Sequence, residues 1–306
     1  VARVTVDSSV PAGRPLRFGL AGTGYWARIA HATALASTPG IEFSGVWGRD
    51  PLKAGALASS FQTAAHTDYG TFLADVDAVA FSVPPDVQSG LAVRAANAGK
   101  HLLLEKPVST DENAADALAQ AVDDAQVASV VFFTARFQSD IRAWLADVAG
   151  RNWTGGQAVW LGSALTESGP FDTPWRRAKG GLWDLGPHAV SLLTAGLGPV
   201  VSVTADGGPR GVAHLILHHA GGAASAVTVT LQGPPDADRL EAYLWDQAGR
   251  SMAPALAADP VPALRRALAE LAANARAGTT THPCDARFGR DVTRLLAEAQ
   301  RQIGAR

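Results

Sequence analysis

Arg17-Phe18-Gly19-Leu20-Ala21-Gly22-Thr23-Gly24-Tyr25-Trp26-Ala27 is the stretch from which the rest of the chain can be read. The apolar run Phe18–Ala21 reads as a buried strand, and Gly22 through Ala27 fits the pattern G-x-G-x-x-[G/A]. A helical pattern follows from Tyr25 to Ser37 and closes at Pro39-Gly40. Strand, glycine turn and helix in that order is the context a dinucleotide fingerprint needs. Gly22 would allow the tight turn, Gly24 would let the backbone approach a pyrophosphate, and Ala27 would let the helix pack close on the strand. The helix N-terminus offers N–H groups and a positive dipole end to the phosphates. Thr23, Tyr25 and Trp26 lie in the same turn and join the glycines as cofactor-binding candidates. The pattern also fits an ordinary glycine-rich turn, so the neighbouring elements must decide.

Ile41–Trp47 reads as the second strand. In NAD sites an acid stands at this strand's end, about 20 residues past the glycine turn. Here Gly48 and Arg49 stand there. Gly48 would leave room for a 2′-phosphate, and Arg49 could stack on adenine and pair with it, which favours NADP and leaves NAD possible. The alternative is a solvated Arg49 ahead of Asp50, which caps the next helix with Pro51 at its first position.

Pro51–Ser60 is helical, and Thr67–Leu73 is a turn with a short helix. Ala78–Val83 is a buried strand ending in Pro84-Pro85-Asp86, and Asp86–Gly99 is a helix. Lys100–Leu104 is a strand ending in Glu105-Lys106-Pro107. Ser109–Glu112 opens a helix to Gln126, and Ala128–Thr134 is a further strand. This alternation predicts a Rossmann-like, doubly wound parallel sheet over residues 1–134. Ligands of such sheets bind beyond the carboxyl ends of the strands, where Gly22, Gly24, Gly48, Arg49, Pro84, Glu105 and Lys106 all fall.

Residues 135–306 change character. Gln138–Ala149 reads as helix, Gln157–Leu165 as strand and Glu167–Lys179 as loop, and Gly180 to His188 leads into a helix ending near Ala195. Val200–Ala205, Val212–His219, Ala224–Leu231 and Leu240–Trp245 are strand-like runs separated by Gly/Pro turns, which predicts an open, mostly antiparallel sheet. Val261–Ala277 and Arg290–Gln302 close the chain as amphipathic helices. The expected architecture is therefore α/β throughout: a dinucleotide-binding domain over 1–134 and a substrate-binding and oligomerisation domain over 135–306.

The chain has 306 residues, 47% of them apolar, and a formal charge of −2 with both signs mixed, which argues against nucleic acid or an anionic membrane as the main partner. Cys284 is the only cysteine, so no intrachain disulfide forms; with no signal-peptide pattern, a cytoplasmic setting is expected. Val1–Pro15 reads as a loose arm, and no apolar run is long enough to span a bilayer. No Cys/His cluster has zinc-ligand spacing, so no metal site is expected. A small-molecule substrate remains, and an open sheet face points to a homodimer or homotetramer.

Lys106 sits at a strand end before a proline, where its ammonium can polarise a substrate oxygen or simply pair with Glu105. Asp184 and His188 are spaced i, i+4 and would share a helix face. A carboxylate can orient an imidazole that moves protons near neutral pH, or the pair can be a capping Asp and a buried structural His.

In four stretches, in order, the chain resembles the glucose–fructose oxidoreductase / inositol dehydrogenase / rhizopine catabolism (Gfo/Idh/MocA) oxidoreductase family. These are Gly19–Trp26; Gly99-Lys100-His101-Leu102-Leu103-Leu104-Glu105-Lys106-Pro107; Trp175-Arg176 with Gly180-Gly181 through Asp184 and His188; and Asp285-Ala286-Arg287-Phe288-Gly289-Arg290. The resemblance implies a Rossmann domain followed by an α/β domain with an open antiparallel sheet. It implies catalytic roles for Lys106, Asp184 and His188, and a nicotinamide cofactor held across Gly22, Gly24 and Pro84. Arg136, Trp175 and Arg176 are the substrate-binding candidates. Gln88 stands where the family often has histidine and Lys179 where it often has glycine, departures that bear on the substrate. The expected activity is hydride transfer between NADP(H), or NAD(H), and a carbinol carbon of a sugar, cyclitol or related polyol. The alternatives are a non-enzymatic cofactor sensor on the same fold, a cofactor-retaining glycoside hydrolase, and an aromatic diol or tetrapyrrole reductase.

Overall fold

A computed structural model describes residues 13–166 and 169–305; most of the expected N-terminal arm, residues 1–12, and Glu167 of the expected loop lie outside the described residues. The chain forms two compact units.

In the first unit, β1 (Leu16–Ala21), β2 (Ile41–Trp47), β3 (Ala64–His66), β4 (Ala78–Phe81), β5 (His101–Glu105) and β6 (Ser129–Phe132) make one sheet in the order β3-β2-β1-β4-β5-β6. Every pairing in it is parallel. That order is the Rossmann order, with its switch point beside β1, where ligands of such sheets bind. Phe18 and Leu20 on one face of β1 and Ala21 on the other are fully buried, as a central strand covered on both faces requires. After β1 the chain winds as a π-helix, Ala27–Ala32, before continuing as α1 (Thr33–Ser37). Then come α2 (Pro51–Ser60), α3 (Tyr69–Ala74), α4 (Pro85–Asn97) and α5 (Glu112–Ala125). Asp50 caps α2 by accepting from the N–H groups of Leu52 and Lys53, with Pro51 as first helical residue.

A single boundary after residue 134 does not describe the packing of Asp259–Arg290, which belongs to the first unit. The reason is α10 (Val261–Ala277), which packs on β5 and β6. Its residues Leu264, Leu268, Leu271 and Ala275 form a buried stripe at helical spacing.

The second unit holds α6 (Thr134–Phe137), α7 (Ser139–Val148), β7 (Gly155–Leu161), α8 (Pro174–Asp184), α9 (Gly186–Leu197), β8 (Val200–Gly208), β9 (Val212–His219), β10 (Ala224–Thr230), β11 (Leu240–Asp246), β12 (Gly249–Met252) and the last part of α11 (Ala286–Gly304). Its sheet runs β12-β11-β7-β10-β9-β8, antiparallel except for the parallel pair β7–β10. α9 packs on β7 and β10, while register aligns Met252, Tyr243, Gln157, Ala226, Ile216 and Thr204 in one row on the opposite face. Helix starts at Pro174 inside the expected loop, because Pro is favoured at a helix's first position; Gly180, at φ +67, then kinks α8.

Asp77, just ahead of β4, ties that strand to β1. It accepts from the Arg17 main-chain N–H at 2.9 Å and from the guanidinium groups of Arg17 and Arg14 at 3.0 and 2.9 Å. Burial pushes its carboxyl up, but these donors outweigh it and hold the group at about 2. A depressed carboxylate contributes stability that is complete above its unfolded value near 4 and is lost as pH falls through the folded value. Asp77→Asn should therefore lower the unfolding free energy at pH 7 by about 1–2 kcal/mol, allowing for screening at this partly exposed pair. Urea titrations of both proteins should show the gap closing as pH approaches 2.

Candidate active site

The glycine turn sits at the carboxyl ends of the central strands. Gly22 N–H donates to the Trp47 carbonyl at 3.0 Å, and Ser82 N–H donates to the Ala21 carbonyl at 2.9 Å. Gly22 has φ +136, and a Cβ there would stand 2.2 Å from the Ser82 carbonyl oxygen. Only glycine fits, both conformationally and sterically. At Gly24 a Cβ would meet nothing within 4 Å, so open space lies beside the backbone at the helix start. Ala27 is fully buried. An exposed, glycine-bounded helix start at the switch point fits a dinucleotide pyrophosphate.

Gly48 has a packing reason to be glycine. A Cβ there would lie 2.6 Å from Thr23 Cγ2 and 3.4 Å from Ala54 Cβ, so Thr23 packs directly against its main chain. Arg49 is exposed next to it. Pro84 is the residue before α4, two positions beyond Ser82.

The main chain around Lys106 is held from within. Gln88, fully buried on α4, accepts from Glu105 N–H at 2.8 Å and donates to the Glu105 carbonyl at 2.8 Å. Its amide also reaches the Pro107 and Val108 carbonyls at 3.3 and 3.4 Å. The departure at Gln88 thus bears on the turn that carries Lys106. The Glu105 carboxylate takes Trp26 Nε1 at 2.7 Å and His31 Nε2 at 2.8 Å on one oxygen, and Lys106 N–H at 3.3 Å on the other. His31 carries no signal in the sequence, because it stands five residues from Trp26, a spacing that an α-helix does not bring together.

In the second unit Asp184 ends α8 and His188 lies in the first turn of α9; both are buried, at 6% and 5% exposure. Leu185 N–H donates to the Gly181 carbonyl at 2.8 Å and His188 N–H to the Leu185 carbonyl at 3.1 Å, so helical turns continue through the junction. Arg176 Nε donates to Asp184 Oδ2 at 2.8 Å. The guanidinium lies over the rings of Trp175 at 4.7 Å and Phe171 at 5.4 Å, and reaches the Phe171 carbonyl. Trp175, Arg176 and Asp184 are therefore one cluster. Arg136 is placed elsewhere: its Nη1 donates to the Ser191 carbonyl at 2.9 Å, one turn along α9 from His188. The His188 ring also packs 5.5 Å from Trp160, whose Nε1 donates to Asp238 at 3.1 Å.

Residues 16–133 match the family model described as an oxidoreductase family with an NAD-binding Rossmann fold. Over these residues the chain is similar to the Gfo/Idh/MocA oxidoreductases. It is 29% identical over 202 residues to an uncharacterised oxidoreductase, YdgJ, of Escherichia coli K12, covering 62% of this chain and 56% of that one. It is 32% identical over 129 residues to an inositol 2-dehydrogenase of Rhizobium meliloti, 42% of this chain and 39% of the relative. The matches thus span little more than half the length of the first relative and less of the second. In fold it is similar to GenD2 from gentamicin A biosynthesis, solved in complex with NAD, at TM-score 0.83 and 20% identity over 98% of this chain and 97% of that one. Among the described residues no helix is long and apolar enough to cross a membrane.

Gly22→Ala forces both an unfavourable φ and a contact with main chain. It should cost about 2 kcal/mol or more in stability and abolish saturable NADPH binding in a fluorescence titration. Wild-type affinity in this variant would remove the turn from the cofactor site.

Proposed function

We propose that the protein is an NAD(P)-dependent dehydrogenase or reductase acting on a CH–OH group of a sugar, cyclitol or related polyol. The observation that carries this reading is the open glycine turn at the switch point, with Lys106 on a braced main chain one strand away from β4. The family match over residues 16–133 and the inositol dehydrogenase relative support it. Gly22, Thr23, Gly24, Tyr25 and Trp26 form the cofactor turn, with Pro84 at the neighbouring strand end. A bound nicotinamide supplies or accepts the hydride.

The chain's own groups handle the proton and the oxygen. In the oxidation direction His188 takes the hydroxyl proton. The Lys106 ammonium hydrogen-bonds a substrate oxygen and stabilises its developing negative charge. Asp184, fixed by Arg176, orients His188 or the substrate; losing one partner of such a buried pair costs about 3–5 kcal/mol, so Arg176 acts first as Asp184's holder.

A general acid/base contributes about 10² to 10⁴-fold, so His188→Ala should lower turnover by that factor with cofactor affinity unchanged. Lys106→Ala should do comparable damage. Assays with a panel of sugars and cyclitols check both, and wild-type turnover in either variant removes that residue from the mechanism.

The cofactor preference is NADP, carried by the exposed Arg49 and the absence of an acid at Gly48. Arg49→Ala should weaken NADPH binding more than NADH binding in paired titrations. Equal wild-type affinity for the two cofactors would contradict the preference.

A further inference from the structure

One carboxylate oxygen collects two donors that an α-helix would keep apart. Trp26 Nε1 and His31 Nε2 both donate to Glu105 Oε1, at 2.7 and 2.8 Å. At about 100° per residue, an α-helix would point residues five apart about 140° away from each other. The π-helix Ala27–Ala32 removes that difference, because its wider i→i+5 turn brings residues five apart near to one face. A π turn is rare and holds poorer backbone geometry, so it persists where side-chain contacts repay it. Here the repayment is a carboxylate at 13% exposure receiving an indole and a fully buried imidazole. A carboxylate only accepts, so Nε2 of His31 carries the proton in this contact.

The other oxygen of the same carboxylate accepts the Lys106 main-chain N–H at 3.3 Å. Gln88 holds the adjoining peptide groups from the opposite side. The glycine-turn helix and the lysine's backbone are thereby joined through one side chain.

We propose that Trp26, His31 and Glu105 are positioning residues that set Lys106 relative to the glycine turn, so that the cofactor seat and the lysine behave as one rigid piece. This rests on the role given to Lys106 above. In this reading Glu105 acts within the protein, its two carboxylate oxygens accepting from Trp26, His31 and the Lys106 main chain.

Trp26→Phe is the cleanest probe, because it deletes one N–H and keeps a ring; His31→Phe is the second. Hydrogen exchange in the free protein tests the link without any turnover. Both variants should raise exchange of the Glu105 and Lys106 amides about tenfold relative to the β4 amides of residues 78–81. Wild-type exchange at these two amides in both variants overturns the proposal.

A double-mutant cycle then tests the route to catalysis. Trp26→Phe should lower kcat about 3- to 10-fold with substrate KM unchanged, and should have no further effect in a Lys106→Met background. Independent, multiplying effects of the two substitutions, or an unchanged kcat in Trp26→Phe, would overturn it. If the wild type oxidises or reduces no polyol at all, the dehydrogenase reading fails, and the exchange measurement still decides the link.

Discussion

The turn between β1 and its helix depends on a single close approach: the backbone of Gly22 lies where any Cβ would press on the Ser82 carbonyl, the residue just past β4. That approach lets the ends of β1, β2 and β4 hydrogen-bond around the turn, through Gly22 N–H to Trp47 and Ser82 N–H to Ala21. It also turns the start of the following helix toward open space at Gly24. The fold and the candidate cofactor seat thus follow from one steric requirement. The parallel order β3-β2-β1-β4-β5-β6 then places the end of β5, with Lys106 after it, next to the end of β4.

Rigidity at the candidate catalytic groups comes from neighbours that do no chemistry themselves. Gln88 binds main chain on both sides of Lys106, and Glu105 is held by two buried or half-buried rings. In the second unit Arg176 holds Asp184 while its own guanidinium is sandwiched against Trp175 and Phe171. Such supports matter because a reacting group misplaced by about 1 Å can lose about 10²-fold in rate.

The Rossmann alternation was legible because β1, β4, β5 and β6 are short, mostly apolar runs bounded by Gly, Pro and capping residues. So were the capping role of Asp50 and the mostly antiparallel character of the second sheet, whose β9 alternates buried and exposed residues. β3 was not legible: it is only three residues long, Ala-Ala-His, and largely exposed, and only pairing with β2 makes it a strand. The packing of Thr23 against Gly48 was not legible, because a sequence cannot say what lies beside a glycine. The Arg176–Asp184 pair was not legible, because the partners lie eight residues apart across the kink at Gly180. The His31–Glu105 pair was hidden by a π-helix, which breaks the 3.6-residue period on which sequence reading relies. The return of α10 to the first unit reflects burial of its apolar stripe on β5 and β6, a long-range choice with no local signal.

A crystal structure of the protein grown with saturating NADPH tests the central claim most directly. The account predicts dinucleotide density with its pyrophosphate on the main chain between Gly22 and Trp26 and its adenosine end toward Arg49. Density bound elsewhere on the chain, or none at that turn at saturating cofactor, would contradict it.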